Sequence, residues 1–254
     1  MAAVYIRRSM KTTPRLFVDE RLEARREVPL SREQGHYLTG VLRLAGGDPV
    51  RVFNGRDGEW LAHVAEAGRK TVTLRCERHI ASVRLPPDVD YVFAPLKHAR
   101  LDYVVQKATE LGARRLVPVI TQRTIAERVN LERMRANVAE AAEQCNLVFV
   151  PEVLEPRKLA LAIRDWDPGR RLIYCDETAA NRNPLAALKG LATPAAVLIG
   201  PEGGFTVEER ALLQGLAYVT PISLGPRIMR ADTAAVAALT LVQAMLGDWG
   251  NPAA

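Results

Sequence analysis

Two glycine-bearing stretches in the last quarter of the chain hold the residues best suited to chemistry. The first, LIGPEGGF at Leu198–Phe205, follows the apolar run Ala195-Ala196-Val197 and leads into Thr206-Val207-Glu208-Glu209. Such a run reads as a buried strand, and ligands of α/β sheets bind beyond the carboxyl ends of strands. Gly200, Gly203 and Gly204 let the backbone bend and leave room for a ligand against the main chain. Thr206 and Glu209 have the spacing of a capping box, so a helix is expected to start there, and a helix start attracts anions. The spacing fits neither G-x-G-x-x-G nor the P-loop, because no Gly-Lys-Ser/Thr follows. Taken alone, the loop serves equally well as a structural turn.

The second stretch, ISLGPRIMRADTAAVAALTLVQAMLG at Ile222–Gly247, repeats the pattern. An apolar strand ends in the turn Gly225-Pro226, a loop presents Arg227 and Arg230, and a helix follows. Asp232 or Thr233 is placed to cap that helix. From Ala234 to Leu246 the helix is apolar nearly all round, so it must be buried on several sides, in the domain core or in a dimer interface.

Residues from 91 onward supply the elements that would position both loops. The strand-like runs YVFA, RLVPVI, LVFVPEV, RLIYC, AAVLIG and VTPISLG alternate with helical ones. In LDYVVQKATELG, Leu101, Val104, Val105, Ala108 and Leu111 share a face, and Gly112 suits the C′ stop. LERMRANVAEAAEQC repeats apolar residues at helical spacing from Leu131 to Cys145. Alternating strand and helix predicts an α/β domain with a mostly parallel sheet. Residues 15–80 read differently: RLFV, VRVF, WLAHVA and TVTLRC are short strands rich in β-branched and aromatic residues, with turns at Asn54-Gly55 and Asp57-Gly58. One helix is predicted near Ser31–Leu44, with Ser31 and Gln34 as a capping box. SVRLPPDVD, residues 82–90, is the linker, because Pro86-Pro87 breaks regular structure.

Composition is that of an ordinary globular protein, with 48% hydrophobic and 25% charged residues in 254. Of the net charge of +6, +5 falls in residues 1–80, which hold 15 Lys+Arg against 10 Asp+Glu; that asymmetry attracts phosphate-rich partners. Cys76, Cys145 and Cys175 are odd in number and widely spaced, which predicts neither disulfides nor zinc and points to a reducing cytosol. The start, MAAVYIRRSMKTTPRLF, lacks the apolar core of a signal peptide. No window is apolar enough to span a membrane. His36 and His63 have no partner pattern and read as structural, and no Ser-His-Asp or metal-ligand spacing occurs.

LIGPEGGFTVEE followed by SLGPRIMRADTAA closely resembles the RsmE family of ribosomal RNA methyltransferases. QKATELG at Gln106–Gly112, EQC at Glu143–Cys145, PRLFV near the start, HYLTGVLRL at His36–Leu44 and FNG at Phe53–Gly55 match further blocks in the same order. The resemblance implies a PUA-like RNA-binding β-barrel over residues 1–81. After the linker it implies an α/β SPOUT methyltransferase domain over residues 91–254, with a C-terminal trefoil knot, that pairs into a homodimer. It implies S-adenosylmethionine as cofactor, N3 of a uridine in the 16S ribosomal RNA of the small subunit as acceptor, and a cytoplasmic setting.

Carried onto this chain, the resemblance places Leu198, Gly200, Pro201, Glu202 and Gly203 of the first loop around the cofactor. From the second it takes Leu224, Gly225, Pro226, Ile228, Met229 and Thr233, the two loops being expected on neighbouring strands. The uracil N3 proton must leave before or during transfer, by a base or with cations stabilising the anion. Arg230 is expected in the second role, and Asp232 as base or as orienter of Arg230. The family usually has Glu at the position of Asp232, so the carboxylate here is one methylene shorter. Phosphate contacts are expected from Arg7, Arg8, Arg15, Arg43, Lys97, Arg100 and Arg227.

Overall fold

β-branched and aromatic residues in period-2 runs build the first part of the chain into a sheet. A computed structural model describes residues 13–68, 71–97, 99–126, 128–179 and 183–249; Arg7 and Arg8 lie outside these. The strands are β1 (Arg15–Phe17), β2 (Glu27–Pro29), β3 (Pro49–Phe53), β4 (Glu59–Ala67) and β5 (Val72–Ala81), in the order β1-β3-β4-β5-β2. All pairs are antiparallel except β1 with β3. Three register shifts between β4 and β5 mark bulges, which bend strands and curl this sheet into a half-barrel. Val28, Leu38, Val50, Val52 and Leu74 fill its concave side and are fully buried.

The predicted helix is shorter than its periodicity suggested. Ser31 Oγ accepts from Gln34 N and Gln34 Oε1 from Ser31 N, so the capping box forms and opens α1 (Arg32–His36). The α pattern then gives way to a π turn over Tyr37–Val41, and Arg43 at φ 59° ends it. Thr39, Gly40 and Val41 are poor helix formers in succession, and Thr39 Oγ1 donates back to the Gly35 carbonyl.

This first unit runs to Arg84 and also takes in Ala142–Val150, which the sequence reading had placed in the second domain. Arg15 explains the grouping and corrects the phosphate role expected of it. Its side chain is only 5% exposed. The Nε donates to Glu59 Oε1 at 2.6 Å, and the guanidinium stands 3.6 Å over the Phe53 ring. Its two Nη groups donate to the carbonyls of Ala142 and Leu147, each at 2.6 Å. All its donors face inward, so none is left for RNA. The expected strand over LVFVPEV accordingly survives only as two residues.

The second unit comprises Leu85–Ala141 and the chain from Pro151 onward. Its strands are β6 (Val89–Phe93), β7 (Arg115–Ile120), β8 (Glu152–Val153), β9 (Arg157–Lys158), β10 (Arg171–Cys175), β11 (Ala195–Ile199) and β12 (Val219–Ile222). The order is β12-β10-β11-β6-β7-β8, with β9 also on β7, and every pairing is parallel. β6 begins inside the segment read as linker. The helices are α2 (Ala99–Glu110), α3 (Leu131–Gln144), α4 (Leu159–Arg164), α5 (Pro184–Leu188), α6 (Val207–Gln214) and α7 (Ala231–Met245). α7 buries Ala231, Ala235, Ala238, Leu239 and Val242 on one face and packs on α2 and β11. Gly112 stops α2 at φ 76°, and Gln243 of α7 donates to the Leu111 carbonyl at that helix end at 2.8 Å.

At the amino ends of these strands Arg170 donates to both carboxylate oxygens of Asp88, each at 2.9 Å. That pairing holds the Asp88 carboxyl below its ordinary value of 3.8. A depressed carboxyl contributes stability above its unfolded pKa and loses it as pH falls through the folded one. Arg170→Gln should therefore cost about 1 kcal/mol at neutral pH. The gap to the parent should narrow as pH drops below 3.8. Urea melts at pH 7 and pH 3 measure this, and a gap of constant size would exclude Asp88 from acid sensitivity.

Candidate active site

The carboxyl end of the parallel sheet opens into a cleft of about 400 Å3 walled by both glycine loops. β11 delivers Gly200–Phe205 to it, and β12 delivers Leu224, Gly225 and Arg227–Arg230. The two strands are not neighbours, which corrects the sequence expectation. β10 lies between them, and its end places Cys175, Asp176 and Glu177 in the cleft wall. Those three residues, with Phe205, Ala231 and Ala234, were missed in the sequence. RLIYCDE ends in no glycine turn, and only the strand order brings it to the site.

The glycines serve different ends. A Cβ on Gly200 would stand 2.6 Å from the Phe205 ring, so that glycine admits a buried aromatic beneath the loop. Gly225 has φ 105° and nothing within 4 Å of where a Cβ would point. A side chain there would be strained and would fill open cleft. That open strip of main chain fits a flat heteroaromatic ring read by backbone N–H and C=O groups. Thr206 and Glu209 form the expected capping box at the start of α6.

Most of the cofactor positions carried over by resemblance lie in the wall: Gly200, Pro201, Glu202, Gly203, Leu224, Gly225, Ile228 and Met229. Three do not. Leu198 is fully buried in the core with Tyr174 and Phe205, because it lies within β11, where side chains alternate between the sheet faces and its own points into the core. Pro226 is exposed beside the wall, and Thr233 projects from the outer face of α7. Neither Asp232 nor Thr233 caps α7. Arg230 occupies the cap position with no side-chain cap bond, and Asp232 Oδ1 accepts from Thr233 N instead.

Charge in the cleft is divided between paired and unpaired cations. Arg100, expected on RNA, stands in the wall with Nη1 3.8 Å from Glu202 and Nε 4.0 Å from Asp232. Arg210 donates to Glu177 Oε1 at 2.7 Å. Buried Asp176 accepts from the Thr178 amide and hydroxyl at 2.9 and 2.8 Å. Arg227 and Arg230 line the cleft, are exposed, and among the described residues have no carboxylate within 4.0 Å. They are free to meet an anion. Burial, with Asp176 beside it, pushes the Cys175 thiol up to about 12, which keeps it protonated at neutral pH. Arg43 and Lys97 are exposed. No group of three or more His, Cys, Asp or Glu able to hold a metal occurs among the described residues.

Comparison with known proteins joins these features. A family profile described as an RNA methyltransferase domain matches residues 83–243, and one described as an RNA methyltransferase PUA domain matches residues 30–76. Ribosomal RNA small subunit methyltransferase E of Rickettsia conorii is 30% identical over 92% of this chain and 96% of its own length. Its counterpart from Synechocystis is 34% identical over 86% and 73%. A Legionella pneumophila methyltransferase, solved with bound cofactor SAM, is 30% identical over 93% of this chain and 99% of its own, with a TM-score of 0.80. The Neisseria gonorrhoeae small subunit methyltransferase E has the same fold at 24% identity and a TM-score of 0.83, with matching coverage. With a PUA-like half-barrel and, later in the chain, a parallel sheet whose cleft is walled by glycine loops, the chain belongs to the RsmE family of ribosomal RNA small-subunit methyltransferases, of SPOUT architecture.

Proposed function

We propose that this chain methylates N3 of a uridine in 16S ribosomal RNA, with S-adenosylmethionine as donor. The observation that carries the reading is the cleft with both glycine loops in its wall, open at Gly225 and bordered by two unpaired arginines. Bound there, the donor supplies an electrophilic methyl group on a sulfonium. Backbone groups of Gly200–Gly203 and of Leu224 and Gly225 would hold its adenosine, and the Glu202 carboxylate favours a cation in the cleft. Arg230 stabilises negative charge as the uracil ring loses its N3 proton. Asp232, relieved of capping, takes that proton; its cation neighbour is Arg100 at 4.0 Å, so it does not orient Arg230 as expected.

Exposed Arg43 and Lys97, with Arg227, are the phosphate contacts this reading keeps, and it transfers Arg100 to the cofactor cleft. Assembly as a homodimer fits α7, which keeps Val236 and Leu241 only half-buried and Met245 exposed. The knot stays an inference from the resemblance. A cytoplasmic setting and action on the small ribosomal subunit belong to the same reading; among the described residues no helix is long and apolar enough to cross a membrane. Incubation with labelled donor and small subunits lacking the modification should yield N3-methyluridine in a nucleoside digest. Folded enzyme that leaves the label unincorporated would sink the assignment.

A further inference from the structure

Three glycines within five residues give the first loop the freedom to adopt many shapes, and ordering it on a ligand would cost affinity. Something outside the loop must restrain it. The turn that follows β7 does so at two points. Arg123 Nη1 donates to the Gly203 carbonyl at 2.8 Å, and its stem lies along that residue, 3.5 Å from where a Gly203 Cβ would stand. One residue earlier, Gln122 N donates to Glu209 Oε1 at 2.8 Å. The other oxygen of that buried carboxylate accepts from Thr206 N at 3.0 Å, so the same turn also grips the start of α6. The turn is itself braced, because Thr121 N donates to Thr124 Oγ1 at 2.9 Å.

We propose that Arg123 is a positioning residue for donor binding: its guanidinium, on the Gly203 carbonyl, holds the first glycine loop in the shape that receives the methyl donor. Arg123 is outside the cleft wall and acts only through the loop. The inference rests on the function proposed above and adds to it a residue from a separate strand. Gly204, at φ 67°, lies between this restraint and the capping box that starts at Thr206, so the Glu209 bonds hold the far side of that bend and not the Gly203 carbonyl.

The test is calorimetry of the full-length protein with S-adenosylmethionine, comparing parent, Arg123→Ala and Arg123→Lys. Loss of one charge-assisted bond on an exposed loop should raise Kd about tenfold in Arg123→Ala. Arg123→Lys should recover part of that, because it keeps one donor, and guanidinium ion added to Arg123→Ala should recover part as well. The loss should appear in KM for the donor and not in kcat, with an unchanged thermal midpoint. Equal Kd in parent and Arg123→Ala overturns the inference. Weakened binding of a ribosomal RNA fragment with donor affinity intact also overturns it and makes Arg123 an RNA contact. Absence of heat with the parent protein would instead remove the donor reading, and this inference with it.

Discussion

Arg230→Ala is expected to lower methyl transfer by about 100- to 1,000-fold while donor binding and the melting temperature stay those of the parent. The guanidinium lines the cleft and is exposed, without a carboxylate partner among the described residues, so the folded state loses no ion pair with it. As cap residue of α7 it contributes only backbone geometry, which alanine keeps. What disappears is a fixed cation beside the acceptor, whose value is realised only as charge develops on the uracil ring. Arg230→Lys should recover some activity, since it keeps the charge but not the planar fork. Single-turnover methylation with saturating donor measures the effect. Turnover at the parent's rate in Arg230→Ala would remove this arginine from the chemistry and leave Arg227 and Arg100 as the remaining cations of the wall.

Arg15→Leu should cost about 3–5 kcal/mol of stability, because it strands the Glu59 carboxylate inside the first unit. The carbonyls of Ala142 and Leu147 lose their donors in the same step, and the Phe53 ring loses its cation. Arg51, 3.6 Å from Glu59, offsets part of the loss by keeping one positive charge nearby. The double variant Arg15→Leu/Glu59→Leu should regain much of it, since no buried charge is then left alone. Denaturant melts of the three variants separate these terms. A single variant within about 1 kcal/mol of the parent would show that Glu59 finds water or Arg51 without cost. The same residue illustrates how poorly charge alone assigns a role. An arginine near a basic chain start reads as a phosphate contact, and only the fold reveals that all its donors turn inward.

Local chemistry made much of the molecule legible. Both capping boxes, Ser31 with Gln34 and Thr206 with Glu209, formed where their spacing put them, because each is settled within four residues. Gly112 stopped α2, and alternating patterns gave a sheet with parallel pairing throughout. The helix over Ser31–Leu44 was cut short by residues whose propensity opposes their apolar spacing. The capping assigned to Asp232 or Thr233 failed because the helix began at Ala231, two or three residues too early for either side chain to cap it.

What the residues alone established is the identity of the two loops, the change from β-rich to α/β architecture, and the family. What tertiary structure decided is which groups meet. β10 was inserted between the loop-bearing strands, carrying Cys175, Asp176 and Glu177 into the wall. Arg100 was drawn to Glu202 and Asp232, Arg123 was laid on Gly203, and Ala142–Val150 joined the first unit. Caps and turns depend on neighbours in the chain, whereas strand order and side-chain partners depend on burial shared among residues tens of positions apart, which no local pattern encodes.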